Sequence, residues 1–174
     1  IRSTTSPGIL EELVKPILEK GSGLKAGIDF GLAACPERIA EGRAIVELKT
    51  LPEIVGAVDD LSAEIVAELF RKINPKKKII RTSPKYAEMA KLFTNVYRYV
   101  NFALANEFAL LAERYGVDAF EVIRIANEDY PRGGIPIPGL AGGPCLSKDG
   151  YYLLRDQIFP DLITVSYTHL TLPT

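Results

Sequence analysis

One run constrains this chain more than any other. "SPKYAEMAKLFTNVYRYVNFALANEFALLAERYG", Ser83 to Gly116, offers a serine cap, a proline at the first helical position, and no interior glycine or proline before Gly116. The pattern predicts a single helix over Pro84–Tyr115, about 48 Å long at 1.5 Å per residue and well beyond the usual globular helix. Its apolar residues wrap most of the circumference, so it is expected to lie buried between a domain and a partner such as a second subunit. Gly116 ends it, Asp118 is placed to cap a second helix over Ala119–Asn127, and the Pro/Gly-rich "YPRGGIPIPGLAGGP" then leads to Cys145.

Upstream the texture differs. Apolar residues at Leu10, Leu13, Val14, Ile17 and Leu18 have helical spacing up to "GSG" at Gly21–Gly23. "DFGLAAC", Asp29–Cys35, reads as a short buried strand, and Leu51–Val58 as another. An amphipathic helix over Ser62–Ile73 follows, then "KKKIIR" enters one more strand. Strands and helices in alternation predict an α/β fold with a parallel sheet, followed by the mostly helical region.

Bulk properties narrow the function. Of 174 residues, 47% are hydrophobic and 25% charged, as in an ordinary globular protein. Lys+Arg 21 against Asp+Glu 22 leaves no global field for nucleic acid or an anionic membrane, so neither is an expected partner. No run is apolar enough to span a bilayer. Two cysteines and one histidine make neither a disulfide framework nor a cysteine-based zinc site, so no metal is expected and a reducing, cytoplasmic setting is the default. "GSGLKA", Gly21–Ala26, fits a G-x-G-x-x-A dinucleotide pattern, but it follows a helix where that motif must follow a strand; it reads as a loop.

Several residues are equipped for chemistry. Cys145 follows Gly142, Gly143 and Pro144 and precedes Lys148 and Asp149, so a thiolate, backbone donors and a cation could assemble there. The same sequence also fits a small buried thiol beside a turn, and spacing alone does not decide. Lys91 and Asn95 stand four apart on the long helix, as an oxyanion-holding pair or as a snorkelling lysine beside a backbone-bonded amide. Glu37 and Glu41 form another four-residue pair after Pro36, suited to the first turn of a helix. Cys35, flanked by apolar residues, reads as structural.

Taken in order, "STTSPG", "CPERIAEGRA", "SPKYAEMAKLFTNVYRYVNFALANE" and "GGPCLSKDGYYL" resemble the UDP-glucose/GDP-mannose dehydrogenase family, and within it the bacterial and archaeal UDP-sugar 6-dehydrogenases. The resemblance runs from about Ser3 to Leu154. It implies the C-terminal part of a Rossmann-type NAD-binding domain over 1–81 and a mostly helical central domain over 82–164. It also implies NAD as cofactor, a UDP-sugar as substrate, and a homodimer formed through the long helix. The implied reaction oxidises a sugar C6 alcohol to a carboxylate in two hydride transfers, through a thiohemiacetal and a thioester on a cysteine.

By the same resemblance Cys145 falls at the nucleophile position, and Lys91 and Asn95 match the oxyanion-stabilising pair. Asp149 matches an aspartate that places water or assists proton transfer, and Glu37 a glutamate of thioester hydrolysis. Thr4, Glu41 and Lys148 match positions near the cofactor or the hydrolytic water. Gly142, Pro138 and Arg38, with Glu37, Lys91 and Asn95, belong to the implied sugar-nucleotide site. "PERIAEGRA" is closer to the UDP-N-acetylmannosamine branch than to the UDP-glucose one.

The ends carry their own expectations. "IRSTTSPG" reads as a strand running into a turn, so the glycine-rich NAD loop is expected before Ile1 and a UDP-binding domain after the chain. Val165–Thr174 reads as a non-native tail, and the piece alone is expected to be inactive. Two alternatives stay open: a non-catalytic helical dimerisation module, and a single-oxidation dehydrogenase of the 6-phosphogluconate or 3-hydroxyacid type.

Overall fold

A computed structural model describes residues 1–139, 146–154 and 162–166. The chain forms two compact units, Ile1–Leu92 and Phe93–Thr174. The first is built on a three-stranded sheet in the order β1 (Ala33–Ala34), β2 (Glu53–Ala57), β3 (Ile79–Thr82). β2 and β3 are parallel, with Ile54 opposite Ile80 and Gly56 opposite Thr82. β1 pairs antiparallel to β2, with Ala34 opposite Gly56, so the sheet is mixed rather than wholly parallel as the alternation predicts.

Period-two alternation divides the core. Leu32, Ala34 and Ile54 face one side with Leu10 and Ala87; Ala33, Cys35 and Val55 face the other with Ala63 and Phe70. A sheet buried on both faces needs apolar residues in succession, which is why these strands read as continuous apolar runs. Gly56 allows a close approach on the Ala87 side: a Cβ there would lie 2.6 Å from Ala87 Cβ, 2.7 Å from Ser83 O and 2.9 Å from Pro84 Cα.

Three local expectations change. The helix predicted over Leu10–Lys20 begins as a π-helical turn, Leu10–Val14, and becomes α1 at Lys15–Ser22. Pro16 has no N–H to give the carbonyl four residues back, and Lys15 N–H instead reaches Leu10 O. Gly23, in the left-handed region, then caps α1, which places "GSG" at a helix end rather than at a phosphate loop. The strand predicted over Asp29–Cys35 shortens to Ala33–Ala34, because Lys25–Phe30 folds into a turn in which Asp29 accepts the Lys25 N–H at 2.8 Å. The helical pair Glu37/Glu41 is also overturned. Glu37 Oε1 accepts the N–H groups of Arg38 and Ile39 at 2.7 and 2.8 Å, Gly42 takes a positive φ, and helix α2 starts only at Ala44, running to Thr50.

Helix α3, Asp60–Ile73, is capped by Asp59, which accepts the Ser62 N–H at 2.8 Å. Helix α4 spans Pro84–Arg114, close to the predicted span. In the second unit α5, Ala119–Asn127, is capped by Asp118 as the sequence predicts. Val96, Tyr99 and Ala103 on α4 pack with Leu153 of α6 (Leu146–Leu153) and Ile163 of α7 (Leu162–Ser166). α6 has no counterpart in the sequence reading, which takes its residues as a turn.

Candidate active site

In the first unit Glu37 is held by Arg2. The Arg2 guanidinium donates to Glu37 Oε2 and, at 2.9 Å, to Glu53 Oε1, and lies 5.1 Å from the Phe70 ring centre. Lys77 Nζ stands 3.8 Å from Glu53 and donates to Leu48 O at 2.5 Å. The two carboxylates share one cation yet shift in opposite directions. Burial pushes Glu37 up, but the Arg2 bond and the two backbone N–H groups outweigh it, leaving its pKa below the usual value. Burial dominates at Glu53 and holds its pKa above the usual value despite Arg2 and Lys77. The side chains are 41% and 8% exposed respectively, which decides the contrast.

Arg38 joins this cluster through its own donation to Pro52 O at 2.6 Å. Glu41 is exposed in the turn before α2, apart from these bonds, and Thr4 is half-buried in the "STTSPG" turn. Cys35 is 4% exposed, and burial pushes its thiol up to about 11, so it stays protonated and packs as an apolar group.

Sequence reasoning misses Glu88. This buried carboxylate on α4 accepts the N–H groups of Gly8 at 2.6 Å and Leu10 at 3.0 Å and the Thr5 hydroxyl at 3.1 Å. It therefore fixes the turn that carries Thr4. A Glu three residues before Lys91 was the available signal, but its partners are some eighty positions away in sequence. Lys91 itself is buried in the first unit, where a snorkelling lysine would have been exposed.

In the second unit Asn95 and Asp149 meet. Asn95 Nδ2 donates to Asp149 Oδ2 at 2.5 Å, and both side chains are buried, Asp149 completely. Asp149 Oδ1 is also buried and has no hydrogen-bond partner among the described residues. Lys148, one position earlier on α6, is exposed, and Pro138 is buried. Cys145 and Gly142 lie outside the described residues.

Among the described residues no group of three or more His, Cys, Asp or Glu is arranged to hold a metal ion, and no helix is long and apolar enough to cross a membrane. They also contain no strand followed by a glycine-rich turn and a helix, the arrangement that would cradle a dinucleotide pyrophosphate.

Along the chain, an α/β unit built on a small sheet is followed by a 31-residue helix and a helical unit with a buried amide–carboxylate pair. The NAD binding domain of the UDP-glucose/GDP-mannose dehydrogenase family matches residues 1–74, and the central domain of the same family matches residues 85–160. The chain is 45% identical over 157 residues to the UDP-N-acetyl-D-mannosamine dehydrogenase of Pyrococcus horikoshii, covering 90% of this chain and 37% of that protein. It is 38% identical over 159 residues to the GDP-mannose 6-dehydrogenase of Pseudomonas putida, covering 86% and 35%. A solved structure of the Pyrococcus horikoshii UDP-D-ManNAc dehydrogenase superposes with a TM-score of 0.89 at 42% identity, over 97% of this chain and 40% of that one. This chain belongs to the UDP-glucose/GDP-mannose dehydrogenase family. It spans about a third of the length of the curated relatives it matches.

Proposed function

We propose that the protein carrying this chain is an NAD-dependent UDP-sugar 6-dehydrogenase that oxidises a C6 alcohol to a carboxylate, with UDP-N-acetylmannosamine favoured over UDP-glucose. The observation that carries the reading is the buried Asn95–Asp149 pair: an amide and a carboxylate are held together out of water, the carboxylate four positions beyond Cys145 in sequence. The sugar preference rests on the names of the relatives above and on the "PERIAEGRA" wording.

The chain's residues divide the work. The Lys91 ammonium and Asn95 amide stabilise charge developing on the reacting oxygen, which counts for most where water is excluded. Cys145 captures the aldehyde as a thiohemiacetal, so that the second oxidation occurs at a tetrahedral carbon and leaves a thioester. Asp149, oriented through Oδ2 by Asn95, offers Oδ1 to the hydrolytic water or its proton. Glu37, kept ionised by Arg2, assists hydrolysis and with Arg38 and Pro138 contributes to binding, as does Gly142. Thr4, Glu41 and Lys148 act near the cofactor or the water. NAD, when bound, accepts the hydrides; the pyrophosphate cradle is not among the described residues.

Tyr86, Phe93, Tyr97, Leu104 and Leu111 are exposed on α4 at spacings of seven and four, one apolar stripe that supports a homodimer through this helix. The reading is tested in a full-length protein carrying this sequence. Two NADH per UDP-N-acetylmannosamine consumed, together with loss of acid formation in Cys145→Ser, are expected. One NADH per sugar would favour a single-oxidation dehydrogenase, and association without UDP-sugar binding a non-catalytic helical module.

A further inference from the structure

The segment between α5 and α6 is gripped in an unusual way. Residues 134–139, "GIPIPG", include Pro136 and Pro138, which have no N–H, so four amide donors remain: Gly134, Ile135, Ile137 and Gly139. Three of the four go to asparagine side chains. Asn127, the last residue of α5, accepts Gly134 N–H at 2.8 Å and Ile135 N–H at 3.0 Å through Oδ1, and donates to Ile135 O at 2.9 Å. Asn106 of α4, buried, accepts Gly139 N–H at 2.9 Å.

The two prolines fix φ at alternate positions, and the two asparagines fix the ends, so the backbone path of 134–139 is set by two side chains on two helices. Asn106 and Asn95 are eleven residues apart, three turns of α4, and therefore share one face within about 20°. That face holds Gly139 at one point and Asp149 at another. Asn106 lies too far along the helix to share the Asn95 contact, which separates its task from the chemistry assigned to Asn95.

We propose that Asn106 and Asn127 are positioning residues that pre-form the 134–139 segment for the sugar nucleotide, governing its affinity rather than the rate of oxidation. The inference rests on the UDP-sugar reading above. A segment held in one path before binding does not have to be ordered by the ligand, and loss of that order appears in substrate binding.

The test compares Asn106→Leu, Asn127→Ala and Asn127→Asp with the unmodified full-length protein, measuring kcat and KM for UDP-N-acetylmannosamine and for NAD. The first two variants are expected to raise the sugar-nucleotide KM about tenfold, the equivalent of one net hydrogen bond of 1.4 kcal/mol, with kcat and the NAD KM within about twofold. Asn127→Asp keeps the acceptor for Gly134 and Ile135 and is expected to restore most of the affinity. An unchanged sugar-nucleotide KM, a parallel rise in both KM values, or no recovery in Asn127→Asp would overturn the inference. Should Asn106→Leu fail to fold, the Asn127 pair decides it. If the unmodified protein neither binds nor oxidises UDP-sugars, the functional reading falls and takes this inference with it. If it does both and the variants match it, this inference falls alone.

Discussion

Around Glu37 in the first unit, every strong side-chain contact involves a charge: Arg2 lies between two carboxylates, and Lys77 backs the more buried one. Along α4 and α5 in the second unit, the gripping groups are the amides of Asn95, Asn106 and Asn127. Charges act over longer range and respond to protonation and screening, whereas amide bonds depend on geometry within a few tenths of an ångström. The first cluster is thus open to control by solution conditions, whereas the Asn106 and Asn127 contacts, made to backbone groups, answer only to shape.

The sharpest way to break this contrast is to remove one amide next to a charge. Asn95→Ala leaves the fully buried Asp149 without its described partner, and kcat in the full-length protein is expected to fall about 10²- to 10³-fold, as when an oxyanion-type donor is lost. A change below threefold in steady-state assays would remove Asn95 from the chemistry. Next in size, Arg2→Met strands Glu53 with only the more distant Lys77, and should lower stability by about 2–4 kcal/mol in denaturant unfolding. An unaltered midpoint would mean that the cluster is not held by its charges.

The smallest effect is the pH response, and its sign differs between the two carboxylates. Glu37 has a lowered folded pKa, so its contribution is present above the ordinary value of 4.5 and is lost as pH falls through the folded value. Glu53 has a raised one, so its contribution is present below 4.5 and is lost as pH rises through the folded value. A carboxyl titration by NMR should find the two on opposite sides of 4.5, with Arg2→Met moving Glu37 upward. If both titrate together, the split drawn from their exposure is wrong. The contacts of Asn106 and Asn127, made to backbone groups, should show no such step.

Legibility in the sequence followed the range of the forces involved. α4 and α5 were readable because Ser83, Pro84, Gly116 and Asp118 act within one turn of their own position. α6 was hidden by its content: Ser147, Asp149 and Gly150 favour turns locally, and only packing of Leu153 against α4 shows where the helix gains its support. α2 was masked by Glu37 and Glu41, which read as the first turn of a helix after Pro36, whereas Gly42 takes a positive φ and the helix starts only at Ala44. Lys91, Asn95, Asp149 and Glu37 could be named by resemblance, but not their partners. Asn95 and Asp149 are 54 positions apart, Glu37 and Arg2 are 35, and no local periodicity encodes such pairings.

Gly56 shows how far such a restriction can travel. Of the three atoms a side chain there would strike, two belong to the backbone at the start of α4 and cannot swing aside. Any missense change in that codon is therefore a change in where the helix begins, and Glu88 and Lys91, one and two turns further on, move with it. In a mutational survey position 56 should behave like a reactive residue while touching none, its intolerance inherited along a rigid rod from the lysine it sets in place.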